Sequence, residues 1–200
     1  MINKIKIKSL KLQGAYRALS KSRGFKKEVK DIVNRRFKSA KNNLIEGFDS
    51  HPVTREIEGG PEASNHSGTL SYGNLFTFIG FYQEDDPVGV VRTAIREKTR
   101  LLSPKTRVQS NKILVDFEVA TPSLDELSSV TPMPWEGKSW LKAIESGISG
   151  FGHYMQRRHE ASRSGNGLQI NKQVRGGRYK PTKYYSELLR KFRKEIISGR

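Results

Sequence analysis

The chain has 200 residues, a length that suits one domain or one domain with tails, and carries 37 Lys and Arg against 20 Asp and Glu, a formal charge of +17. It contains no Cys. That excludes disulfides and thiolate metal sites and fits a setting such as the cytoplasm. No apolar stretch approaches the roughly 20 residues that span a bilayer, and residues 1–8 alternate Ile with Lys or Asn where a signal peptide needs a continuous apolar run.

The first 24 residues are basic and punctuated by Ser and Gly. Ile5 and Ile7, with Leu10 and Leu12, alternate with Lys as in a short strand, and a flexible arm that orders on a partner fits as well. Residues 25–48 predict an amphipathic helix. Val29, Ile32, Val33, Phe37, Ala40, Leu44, Ile45 and Phe48 recur at spacings of three and four, and Lys26, Lys27, Lys30, Arg35, Lys38 and Lys41 occupy the opposite face. His51–Pro52 ends it, because Pro disfavours helix at the residue before it.

Residues 53–74 read as a long polar, Gly-rich loop, and residues 75–81, LFTFIGF, as a buried strand. Pro87 opens a helix over about residues 87–101 after the acidic turn Glu84–Asp85–Asp86. Residues 106–120 contain a strand with Ile113, Val115, Phe117 and Val119 on one face. Leu124–Leu127 suits one helical turn, and the prolines at 132 and 134 impose an extended stretch. A helix from Ser139 places Trp140, Ile144, Ile148, Phe151 and Met155 on one face, with three glycines suggesting close packing of another backbone. Residues 157–180 read as a basic loop. Pro181 opens a last helix with the stripe Tyr185, Leu188, Leu189, Phe192, Ile196.

Charge follows this organisation. Successive quarters of the chain carry +10, −2, −1 and +10, so a near-neutral middle lies between strongly basic ends, which suit a polyanion or an acidic protein surface. Residues 1–24 are read as a basic arm, 25–156 as the body, and 157–200 as a basic loop and helix. The fold class expected is α+β: a small sheet packed against amphipathic helices, with extended basic arms at both ends and long loops.

Catalytic signatures are weak. His51, His66, His153 and His159 lack the four-residue helical spacing of a metalloprotease pair, and each reads as structural or exposed. The Glu84–Asp86 cluster suits a helix N-terminal turn better than a cation site. Gly137–Lys138–Ser139 ends like a phosphate loop, but the position five before Gly137 is Pro132. No cofactor, metal or catalytic residue is expected, and a hydrolase or nuclease is disfavoured by scattered carboxylates. Arg175, Gly176, Gly177, Arg178, Tyr179 and Lys180 form the best contact motif. Two Arg on a glycine loop bracket phosphates or lock into an acidic groove, and Tyr179 can stack.

His51–Pro52–Val53–Thr54, Glu56–Ile57, Gly59–Gly60, Ser67–Gly68–Thr69–Leu70, Gly73–Asn74–Leu75–Phe76 and Phe78–Ile79–Gly80–Phe81 together resemble structural proteins of tailed bacteriophages. So do Trp140, Ile144–Glu145, Gly147–Ile148–Ser149–Gly150, Arg163–Ser164–Gly165 and Arg175–Gly176–Gly177–Arg178. The resemblance spans roughly residues 30–195 and is to neck or tail-completion proteins. It implies an α/β fold with an N-terminal helix, a sheet and extended arms, in a ring stacked on another ring, without catalysis. The chain is therefore expected to be a virion protein made in the host cytoplasm, with copies of itself and other neck, connector or tail proteins as partners, non-specific contact with packaged DNA, and no membrane. Arg175, Arg178 and Tyr179 are the expected contact residues, and Lys4, Lys6, Lys8 and Lys11 an ordering arm. The rival expectation is a basic protein that contacts the phosphate backbone of nucleic acid.

Overall fold

Helix α1, Arg23–Asp49, forms where the apolar spacing predicted it. In the computed structural model, which describes residues 3–7, 12–13, 22–70, 73–102, 105–109, 112–147, 151–152, 154–157, 167–170 and 182–198, it is the longest element. Ser22 caps it by accepting a hydrogen bond from the Phe25 N–H. Val29, Val33, Ala40, Leu44 and Phe48 are buried along one stripe, with Phe37 and Ile45 at its margin.

The chain does not enter a loop at residue 53. Pro52–Glu58 is helix α2, with Pro52 in the first turn, where its missing N–H costs nothing. Val53 and Ile57, four apart, bury one face of it. The expected strand at 75–81 is also a helix, α3, Leu75–Ile79. A short continuous apolar run is compatible with either form, and the flanks decide. The Asn74 side chain accepts the Thr77 N–H, and Gly80 closes the turn at φ 84°. Every residue of α3 is buried. Helix α4, Pro87–Lys98, starts as predicted, with Asp86 accepting the Gly89 N–H at 2.8 Å.

Strands β1 (Asn3–Ile7), β2 (Leu12–Gln13), β3 (Arg100–Leu101) and β4 (Lys105–Gln109) all pair antiparallel with β5 (Lys112–Thr121), the centre of the sheet. β1 and β3 both pair with residues 119 and 120, so they occupy opposite edges of β5. β2 and β4 do the same lower down, at residues 112 and 113. Of the two readings of the N-terminal residues, the backbone at 3–7 follows the strand. Val115, Phe117 and Val119 face the helices and join one core with the α1 and α4 stripes.

Helix α5, Leu124–Ser128, carries a full capping box between Ser123 and Glu126. The Pro-rich stretch forms a small ladder, β6 (Pro132–Met133) with β7 (Glu136–Ser139). Gly137–Ser139 therefore lies in a strand. Helix α6, Trp140–Ser146, is shorter than expected. Gly147, at φ 86°, takes a conformation that side-chain-bearing residues rarely adopt, and it ends the helix. Met155 consequently falls in β8 (Tyr154–Arg157), which pairs with β9 (Gly167–Ile170), so the region read as a basic loop contains a hairpin. Helix α7, Tyr185–Ser198, buries Tyr185, Leu188, Phe192 and Ile196 against α1.

The fold is α+β, as the sequence predicted, with a small antiparallel sheet and amphipathic helices. Aromatic edges lock α3 into it: Phe78 meets Phe151 at 5.1 Å and Phe81 meets Trp140 at 6.1 Å, both edge to face. Replacing Gly80 with Ala forces a Cβ into the left-handed region and is expected to cost about 1–2 kcal/mol. A lower denaturant midpoint for Gly80→Ala checks this, and an unchanged midpoint contradicts the α3 cap.

Candidate functional site

Residues between 51 and 81 converge on one buried carboxylate. Glu56, on α2, is wholly buried. Its Oε2 accepts the Ser67 N–H at 2.8 Å and its Oε1 the Leu75 N–H at 2.7 Å. One side chain thus ties the middle of the segment between α2 and α3, at Ser67, to the start of α3. Asn74 adds two bonds from its amide, to the Pro61 and Ala63 carbonyls. Asn65 donates to the Leu70 carbonyl and accepts the Gly68 N–H. The long polar segment is a braced structure because these side chains satisfy backbone groups that a ladder otherwise would.

A second cluster joins α1, α2 and α7. Tyr184, just before α7, is fully buried. Its hydroxyl bonds the Thr54 hydroxyl of α2, and its ring stacks on Phe48 at 5.7 Å and tilts against His51 at 4.6 Å. Burial pushes the Tyr184 phenol up, so it stays protonated. His51 caps α2: its Nδ1 accepts the Val53 N–H at 3.2 Å. Burial first, and Lys191 second, hold the imidazole below its ordinary value. Beside it, Arg92 of α4 forks between Asp49 at 2.7 Å and Glu58 at 2.6 Å. A crevice of about 230 Å³ opens here between α1 and α7, lined by Gly47, His51, Lys191, Phe192 and Glu195 among others.

Chemically, these groups are committed to holding the fold. Among the described residues, Glu56, Tyr184 and Tyr185 are the titratable side chains buried in the core, and each has a partner; the Tyr185 hydroxyl donates to the Pro122 carbonyl at 2.8 Å. Asp85 and Asp86 accept backbone N–H groups of their own turn, as a helix-start reading requires. No group of three or more His, Asp or Glu suited to a metal occurs among the described residues.

Of the predicted contact residues, Lys4 and Lys6 are among the described ones. Lys4 and Lys6 lie on β1 in register with Ala120 and Glu118. Lys8, Lys11, Arg175, Arg178 and Tyr179 lie outside the described residues, as do His153 and His159. Sequence reasoning missed Glu56 and Tyr184, since one polar or aromatic residue in a helical pattern carries no mark of burial.

No family model, curated protein or solved structure matches this chain.

Two outcomes follow. Glu56→Ala leaves two buried N–H groups without an acceptor and is expected to destabilise by about 2–4 kcal/mol, read as a lower urea midpoint. His51 is held below its unfolded value of 6.5. Its contribution is therefore fully present above about pH 6.5 and is lost as pH falls through the lowered folded value. His51→Asn keeps a cap acceptor that does not titrate. The loss of stability between pH 7 and pH 5 should be smaller in that variant than in the native chain, and an equal loss would exclude His51 as its source.

Proposed function

We propose that the chain is a structural subunit of a tailed-phage virion, forming an oligomeric ring in the neck or at the head-proximal end of the tail that joins head connector to tail. The observation that carries this reading is the placement of the phage-like residues. Among the described residues, those from His51 to Phe81 build one braced unit around Glu56, the α2–α3 segment packed on α1 and against Trp140. A pattern that specifies such a scaffold is the kind a structural subunit shares with its relatives, and the buried titratable groups serve it. Outward-facing charge on the helices supplies surfaces for neighbouring copies, for adjoining neck, connector or tail proteins, and for packaged DNA. No catalysis forms part of the proposal.

The rival, a basic protein contacting phosphate backbones, draws on the exposed cations of α1 and α7: Lys26, Lys27, Lys30, Lys38, Arg190, Lys191, Arg193 and Lys194. Affinity of that origin falls steeply with salt through counterion release.

Electron microscopy of the purified, nuclease-treated protein is expected to show closed rings. Monomers that bind duplex DNA tightly at physiological salt, with a steep salt slope, would favour the rival. Removing residues 1–20 is expected to lower the melting temperature as well as assembly, because residues 3–7 and 12–13 pair with β5. An unchanged melting temperature would contradict that pairing.

A further inference from the structure

Helices α1 and α4 run antiparallel. Arg92 of α4 meets Asp49 at the last turn of α1, while Lys41 of α1 reaches the Arg96 and Thr99 carbonyls at 2.6 and 2.8 Å, at the far end of α4. Helix α4 therefore begins beyond the C-terminal end of α1, and the turn before it lies at that end. The N-terminal half of α1 projects the opposite way along a helix about 40 Å long.

These two ends are opposite in chemistry. From residue 82 to residue 91 there is no Lys or Arg, and Glu84, Asp85 and Asp86 are exposed. Tyr82 and Val90, each 47% exposed, flank them as large apolar side chains in solvent. The turn is held in shape by Asp85 accepting the Tyr82 N–H and Asp86 the Gly89 N–H. At the other end Arg23, Lys26, Lys27, Lys30, Arg35 and Lys38 are exposed, set against Glu28 and Asp31. The first turn of α1 carries no acid, so its positive charges add to the positive end of the helix dipole instead of offsetting it. A surface rich in carboxylates would relieve that strain.

We infer that copies of this chain join head to tail, with the acidic 82–90 turn of one seated on the basic N-terminal half of α1 of the next. The inference rests on the ring reading and deepens it by naming the surfaces. Two different surfaces in contact make a heterologous interface, which closes into a ring when its rotation closes. Copies of net charge +17 repel at long range, so the contact must be local and short-ranged. Local complementarity fixes its register, and burial of Tyr82 and Val90 supplies the apolar anchor.

The test uses two variants of the full chain. One, Gln83→Lys with Glu84→Lys, Asp85→Asn and Asp86→Asn, makes the turn basic, keeps side-chain oxygens to accept the Tyr82 and Gly89 N–H groups, and leaves Tyr82 and Val90 in place. The other, Lys27→Glu with Lys30→Glu, makes the N-terminal face of α1 acidic. Sedimentation and electron microscopy then score assembly of each alone and of an equimolar mixture. Each variant alone should raise the concentration needed for assembly by about tenfold or more. The mixture should recover it, because each reversed surface then finds its complement, and recovery also shows that both variants fold. Native rings left intact by both variants would overturn the interface while the ring reading stands. Loss in each variant without recovery on mixing would overturn it too, and capture of duplex DNA by the native α1 face but not by Lys27→Glu/Lys30→Glu would identify a polyanion as the occupant. A native chain that forms no assembly at any salt concentration would remove the ring reading and this interface together.

Discussion

The Glu56 carboxylate is the constraint on which the middle of this molecule depends. Between α2 and α3 the chain has no ladder to satisfy its backbone, yet it lies against the core: Thr69 and Leu70 are buried. One buried anion accepting two N–H groups resolves this. It replaces lost hydration with charge-assisted bonds and fixes where α3 begins. Once Leu75 is placed, Phe76, Phe78 and Ile79 enter the core without freedom to slide. The Trp135 indole donates to the Ile79 carbonyl, and Phe78 and Phe81 meet Phe151 and Trp140. The β6–β7 ladder and α6 are thereby attached to the same unit.

A comparable economy joins the helices. Helix ends leave carbonyls unpaired, and here cations from neighbouring helices take them: Lys41 the end of α4, and Arg36 the Ile196 carbonyl near the end of α7. Lys98 bridges α4 to the capping glutamate of α5, and Glu145 of α6 accepts both the N–H and the hydroxyl of Ser186 at the start of α7. Burial of the apolar stripes drives association of the helices, and these directional contacts select the arrangement in which they dock.

How much of this was legible in the sequence follows from which signals are local. α1, α4 and α7 were readable because amphipathic spacing reports burial of one face, and Asp86 and Pro87 mark the start of α4, whereas α7 begins at Tyr185, four residues after the Pro181 expected to open it. β5 was readable from its period of two. LFTFIGF was not, because a helix buried on every side and a buried strand have the same apolar content, and only Asn74 and Gly80 separate them. The helix expected to reach Met155 failed for a related reason: spacing continued past Gly147 while the backbone did not. The acidic turn was foreseen as a helix start, and His51 was read as structural or exposed without its capping role. Glu56, Thr54 and Tyr184 were not foreseen, because their importance arises from contacts between residues up to 130 positions apart.

Charge illustrates the difference between composition and placement. A net +17 at basic termini suggested arms reaching for an anion. The fold commits several cations to contacts within itself: Arg92 between two carboxylates, and Lys41 and Arg36 on helix ends. Cations committed to such contacts lose much of their ability to exchange counterions with a polyanion. Among the described residues, further cations lie outward along α1 and α7, while the exposed carboxylates at 84–86 gather beyond the opposite end of α1. A charge that is uniformly spread disperses molecules, whereas a charge separated along a rigid helix orients them. In a molecule this basic, the few concentrated carboxylates decide which end a neighbour approaches.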